Sequence, residues 1–166
     1  MSDERVEAPD GKGKVRLLAS RDAGVLGLAT GAVTIAIDQT HKLLSIFGLG
    51  MQPGDKFTVT PFFDIIYVIN RGISYGLFQM DHRSGQLFLS GFAFLVAVVL
   101  AVWLVRGSHT RFVTICIGLV IGGAIGNGID RLQLGGVADF FSLHAYGFYW
   151  YIFNIADVAI VAGIAG

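Results

Sequence analysis

Apolar and polar positions along this chain fall into long blocks. From Ala23 the sequence carries no charge until Asp38 and stays largely apolar to Phe47. Leu87 to Val105 gives 19 consecutive uncharged residues and Phe112 to Ile129 gives 18, close to the ~20 that a helix needs to cross a bilayer's hydrocarbon. These blocks predict membrane-spanning helices over about 23–47, 87–105 and 112–129. The first is too long for the apolar core of a cleavable signal peptide and lacks its small-residue cleavage site. A fourth span is expected over about 149–166; it would reach roughly 27 Å at 1.5 Å per residue, so its cytoplasmic end is expected to lie past Gly166.

Between the blocks the period shortens. Lys56-Phe57-Thr58-Val59-Thr60 alternates with period two, and Ile65 to Ile69 is β-branched and aromatic, which predicts short strands in a small outer-face β element. Residues Phe140, Phe141, Tyr146, Phe148, Tyr149, Trp150, Tyr151 and Phe153 crowd a second segment. Rings with an apolar body and a polar tip settle in the headgroup layer, so this aromatic-rich segment is read as an interfacial anchor. The expected fold class is an all-α membrane protein with four transmembrane helices, the β element and this segment.

Residues 1–22 alternate acidic and basic groups with Gly and Pro, cannot bury enough surface to fold alone, and are read as a cytoplasmic tail preceding one membrane domain over 23–166. Basic residues flanking spans favour the cytoplasm. Arg5, Lys12, Lys14, Arg16 and Arg21 in the tail, and Arg106 and Arg111 in the second connection, therefore belong inside. Segments 48–86 and 130–152 then lie on the outer face. Of the 166 residues, 54% are apolar and 14% charged, against about 25% charged in a soluble domain. The basic residues form no dense patch, so no nucleic-acid partner is expected. Cys116 is the sole cysteine; no internal disulfide or thiolate cluster can form, and Cys116 is read as a packing residue.

Ionisable groups beside or within a span are costly in lipid and are functional candidates. Asp38 and Lys42 stand i,i+4 at the outer end of the first span, Asn127 with Asp130 and Arg131 at the outer end of the third, and Asp139, Asn154 and Asp157 around the start of the fourth. All converge on one membrane boundary. Asp38 with Lys42, and Asp130 with Arg131, are as readily structural ion pairs as catalytic groups.

The blocks Asp38-Gln39-Thr40-His41-Lys42, Asn70-Arg71-Gly72-Ile73-Ser74-Tyr75-Gly76, Gly126-Asn127-Gly128-Ile129-Asp130-Arg131, Val137-Ala138-Asp139-Phe140 and Phe153-Asn154-Ile155-Ala156-Asp157 resemble, in order, the five sequence blocks of the bacterial lipoprotein signal peptidase (signal peptidase II) family. Ser74, Tyr75 and Val158 depart from the family's usual residues. The resemblance implies an aspartic endopeptidase of the bacterial inner membrane, multi-pass, with cytoplasmic termini and a site near the periplasmic face. It implies cleavage on the amino side of a diacylglyceryl-modified cysteine in a prolipoprotein, with Asp139 and Asp157 as the catalytic pair. Membrane lipid and a globomycin-type inhibitor are the further implied partners, with no cofactor or metal. Asp38, Lys42, Asn70, Gly72, Asn127, Asp130, Arg131 and Asn154 are implied to bind substrate or support the pair, Arg131 by pairing with Asp130 or a neighbouring carboxylate. Physically, two carboxyls held close in a low dielectric share a proton, one acting as base and the other as acid.

Three other chemistries are weaker. A carrier or proton relay using Asp38, Asp130 and Asp157 needs polar groups at several depths, whereas these carboxylates gather at one. A serine–lysine protease, with Lys42 or Lys56 as base and Ser45 or Ser74 as nucleophile, leaves Asp139 and Asp157 unused. The histidines, His41, His82, His109 and His144, lack metalloprotease spacing.

Overall fold

The computed structural model describes residues 17–72 and 80–166. The tail over 1–16 and the motif positions Ser74 and Tyr75 lie outside the described residues. Three helices are long and apolar enough to cross a membrane: α1 (Ser20–Leu43), continued by a π-helical turn over Leu44–Gly48, α2 (Arg83–Arg106) and α3 (Arg111–Leu134). Helix α1 begins at Ser20, so the last residues of the expected tail are already helical. Strands β1 (Lys56–Thr60) and β2 (Phe63–Asn70) follow α1; β3 (Val137–Ala145) and β4 (Phe148–Phe153) follow α3; α4 (Ile155–Ala165) closes the chain. The strands form one antiparallel sheet in the order β1-β2-β3-β4.

The fourth helix differs from expectation. Phe148–Phe153 pairs with β3, and the helix starts only at Ile155. Its 11 residues rise only ~16 Å at 1.5 Å each, about half the hydrocarbon thickness. The aromatic run is strand-forming, and Ala145 pairs with Phe148 across a two-residue turn in which Tyr146 and Gly147 both have positive φ, 50° and 81°, the twist that suits a tight hairpin. Nor is the run wholly interfacial. Phe140 is fully buried, stacked on Tyr67 at 4.9 Å and edge-on to His41 at 5.1 Å, in a core with Met51 and Ala138 under the sheet. Tyr146, Phe148, Tyr149 and Trp150 are exposed.

Helix α3 is the hub. Of its most apolar window 61% is buried, against 22% for α2, because α1, α2 and α4 all pack on it. Glycine makes this possible: a Cβ on Gly118 would meet the Gly27 carbonyl oxygen at 2.4 Å, one on Gly122 the Gly31 oxygen at 2.6 Å, and one on Gly123 the Ala156 oxygen at 2.4 Å. Lipid gives no hydrophobic drive for helices to associate, so close backbone approach through small residues supplies it. Leu104, Ile117 and Ile121 fill the α2–α3 contact. Val25, Val33, Phe88, Val98 and Val161 remain exposed around the outside, as lipid-facing side chains must be.

Polar contacts tie α2 to the chain that follows β2 and to α3. Gln86, 2% exposed, donates from Nε2 to the carbonyls of Arg71 and Met80, both at 2.7 Å, and Ser90 Oγ donates to Gly128 O at 2.6 Å. At the far end of the sheet Asp64, buried, pairs with Lys56 at 2.7 Å and His144 at 3.0 Å. At the opposite end of the helices Leu17 bridges Thr110 and the Leu18 N–H donates to His109 O at 2.8 Å. The start of α1 and the α2–α3 connection thus lie together.

Gly122→Ala is expected to force α1 and α3 apart against backbone, lowering stability by ~1–3 kcal/mol as an overpacked contact. Gly91→Ala in α2, where an added Cβ meets nothing within 4 Å, is the control and should unfold at or above the wild-type temperature in detergent.

Candidate functional site

Three chain reversals converge at the sheet end of the helices. Helix α3 ends at Gly135 in the left-handed conformation, φ 71°, which turns the chain into β3 at once. The register of β2 on β3 sets Asn70 opposite Val137 and Val68 opposite Asp139, so Asn70 and Asp139 are diagonal neighbours on one face. Strand β4 then delivers Asn154, the N-cap of α4. Asn154 Oδ1 accepts from the Asp157 N–H at 2.9 Å, and Asp157 Oδ2 accepts from the Asn154 N–H at 3.2 Å, a reciprocal capping box.

Below lies a buried cation. Lys42 Nζ, 3% exposed, sits 2.8 Å from Asp38 Oδ2 and 2.7 Å from Asp130 Oδ2. The remaining acceptors hold backbone: Asp38 Oδ1 accepts from Ala156 N at 3.0 Å, and Asp130 Oδ2 also accepts from Ala138 N at 3.1 Å. Ala156 precedes Asp157 and Ala138 precedes Asp139. Gln39, which the sequence reading left unassigned, donates from Nε2 to Asp130 Oδ1 at 2.9 Å and Asp38 Oδ2 at 3.2 Å. Gly126 leaves room for this, since a Cβ there would lie 2.8 Å from Asp38 Oδ2.

Asp139 and Asp157 share the asparagines above. Asn154 Nδ2 donates to Asp139 Oδ1 at 2.6 Å and to Asn127 Oδ1 at 3.1 Å, and Asn127 Nδ2 donates to Asp157 Oδ1 at 2.8 Å. Asn70 Nδ2 donates to Asp139 Oδ2 at 3.1 Å and to the Tyr151 hydroxyl, while its Oδ1 accepts from Gly72 N at 3.0 Å. Asp139 is 1% exposed. Burial first, and the charge of Asp157 second, push its carboxyl up to about 7, against the pull of the Asn70 and Asn154 amides.

Every residue singled out from the sequence therefore lies in this network, but Arg131 does so differently from expectation. It donates to the carbonyls of Asn127 and Gly72, each at 3.2 Å, while Lys42 takes Asp130. Adjacent residues on a helix point about 100° apart, so Asp130 faces α1 and Arg131 reaches the 70–72 turn. Sequence reasoning also missed Tyr151 and Gln86. Gln86 stands just before the second apolar block, among polar residues that gave no distinct signal; Tyr151 had none beyond its aromatic neighbours.

An apolar cavity of about 380 Å³ between α2, α3 and α4, walled by Leu89, Phe92, Val96 and Ile160, opens at its upper end onto Asn127, Arg131 and Asp157. Asp139 faces a different, more polar pocket under the sheet with Arg71 and Asp81. The arrangement can hold two carboxyls on shared amide donors at the boundary between an apolar space and a polar one.

Comparison with known proteins gives a consistent answer. A family model described as signal peptidase (SPase) II matches residues 30–166. A lipoprotein signal peptidase of Methylobacterium sp. (strain 4-46) is 44% identical over 142 residues, covering 86% of each chain. One from Rhodopseudomonas palustris is 46% identical over 144 residues, covering 84% of this chain and 87% of its own. A solved bacterial membrane enzyme superposes with a TM-score of 0.71 at 28% identity, covering 84% of this chain and 82% of the other.

The raised carboxyl makes a stability prediction. A group that binds its proton more tightly folded than unfolded adds stability below its unfolded pKa, and that stability drains away as pH rises through the folded value. For Asp139 the window runs from about pH 4 to about 7. Thermal unfolding in detergent at pH 5 and pH 8 should show a smaller temperature difference for Asp139→Asn than for wild type. An unchanged difference means that Asp139 is already ionised at pH 5.

Proposed function

The chain belongs to the signal peptidase II family, and from that premise we propose that it removes signal peptides from prolipoproteins in a bacterial membrane. We read it as an aspartic endopeptidase that cuts on the amino side of a diacylglyceryl-modified cysteine. The observation that carries the mechanism is Asn154, whose side chain donates to Asp139 and whose backbone donates to Asp157. Carboxyls gathered this closely on common donors, away from water, hold one proton between them. Asp139, raised to about 7, carries it, and Asp157 is the base.

Asp157 takes a proton from the attacking water as its oxygen bonds to the scissile carbonyl carbon. Asp139 protonates the carbonyl oxygen. On collapse the C–N bond breaks, the amine leaves with the proton held by Asp157, and a hydroxyl of the intermediate returns its proton to Asp139. No covalent enzyme intermediate forms. Asn127 and Asn154 orient the pair; Asp38, Lys42 and Asp130 hold its backbone; Asn70, Gly72 and Arg131 bring the turn after β2 over the site.

The substrate's signal helix and acyl chains are apolar, and the cavity leading to Asp157 is walled by lipid-facing helices, which favours sideways access from the bilayer. Helix α4, which reaches about half-way through the hydrocarbon, is read as the fourth membrane segment, with the termini cytoplasmic and the sheet periplasmic; the joining of Leu17 to Thr110 supports placing the start of α1 and the α2–α3 connection on one side. A globomycin-type lipopeptide inhibits by filling the same space. A serine–lysine mechanism is disfavoured on two counts. Lys42 is taken up by two carboxylates, and the hydrogen bond that Lys56 donates to Asp64 raises the Lys56 pKa, opposite to what a lysine base needs.

Asp139→Asn and Asp157→Asn should each lower the initial rate on a diacylglyceryl-modified prolipoprotein by about a hundredfold or more, the scale of a lost general acid or base. The double variant should be scarcely worse, because groups acting as one unit are non-additive. Asp38→Asn should chiefly lower the unfolding temperature, because it leaves a buried cation with one partner. If either dyad variant, checked for folding in detergent, keeps more than about a tenth of the wild-type rate, that residue is not in the pair.

A further inference from the structure

Three cavities meet above α4. The apolar one between α2, α3 and α4 borders Asp157. A second, of about 400 Å³, lies against Phe153, Val158 and Val161 and also borders Asp157. The pocket under the sheet, about 670 Å³, contains Asp139, Arg71 and Asp81. Among the described residues lining them, Tyr151 alone borders all three. Asp139 thus lines one pocket and Asp157 the other two, and the Tyr151 ring borders all three.

Its hydroxyl is tied to the site through one residue. Asn70 Nδ2 has two N–H groups; the contacts to Asp139 Oδ2 and to the Tyr151 oxygen use both, and Asn70 Oδ1 holds Gly72 N. With every donor and acceptor engaged, the amide cannot rotate. Without the Tyr151 oxygen, one N–H loses its acceptor and the amide is held on Asp139 by fewer bonds.

Resting on the peptidase reading above, we infer that Tyr151 is a positioning residue: its hydroxyl holds the Asn70 amide on Asp139. Donation from Asn70 favours the ionised form of Asp139. Weakening that donation moves the Asp139 titration upward, and because Asp139 acts protonated, the alkaline limb of the pH–rate profile moves with it.

The test uses the full-length protein in detergent with a diacylglyceryl-modified prolipoprotein. Tyr151→Phe should unfold near the wild-type temperature, keep KM within about twofold, lower kcat about ten- to a hundredfold as misplacement of a reacting group does, and shift the alkaline limb to higher pH. In an Asn70→Ala background the same change should cost little more, since the two act in series. Wild-type kcat and an unmoved alkaline limb in folded Tyr151→Phe overturn the inference, as does full additivity with Asn70→Ala. Should Tyr151→Phe not fold, p-aminophenylalanine at 151 keeps the shape with a poorer acceptor and is expected to shift the limb the same way; an unmoved limb there is equally fatal. Wild-type protein that fails to cleave the precursor sinks the peptidase reading itself, whereas an active wild type with an indifferent Tyr151→Phe sinks only the role of Tyr151.

Discussion

The site depends on one buried ammonium. Lys42 between Asp38 and Asp130 joins α1 to α3, yet its larger effect is on the two carboxylates. A buried charge is tolerable only when paired and hydrogen-bonded, and Lys42 makes it possible to hold two aspartates where no water reaches. Each then has capacity for a backbone N–H: Asp38 takes that of Ala156, just before Asp157, and Asp130 that of Ala138, just before Asp139. Charge placed for one purpose sets backbone for another: the start of α4 and the start of β3 are pinned to the same ion cluster, and Asp157 and Asp139 are brought together by it.

Such a cluster needs close helices. In lipid the drive for contact is packing and internal hydrogen bonding, and the glycines of α1 and α3 let their backbones approach until side chains near the sheet end of the helices meet directly. Gly126 illustrates the link between packing and chemistry, since the space of its missing side chain is where Asp38 Oδ2 lies. The apolar length of α3 and the polar end of α3 are thus parts of one device.

Much of this was legible in the sequence. The uncharged blocks located the three long helices, i,i+4 spacing foretold the Asp38–Lys42 contact, and the five polar motifs marked the residues that converge. The rest depended on tertiary facts. Periodicity cannot say which neighbour a charged residue faces, so Arg131 was paired with Asp130, which points to α1 from another face of the same helix. The aromatic run over 140–153 reads equally as membrane anchor or strand, and only pairing with β3 decides, burying Phe140 while leaving Tyr146 in the open. Tyr151 belongs to a cavity junction that no local pattern encodes, and Gln86 to a contact between the two flanks of residues 72–79.

The strand order carries a consequence for biogenesis. Strands β2 and β3 are neighbours in the sheet, yet α2 and α3 lie between them in the chain, and the contact of Asp38 with Ala156 spans 118 residues. Contacts so distant in sequence form late, after the intervening chain is placed. A nascent chain still lacking its last helix holds Lys42 and Asp38 but neither Asn154 nor Asp157. The hydrogen-bonded network that joins Asp139, Asn154 and Asp157 therefore closes only once α4 has been made and seated against α1 and α3.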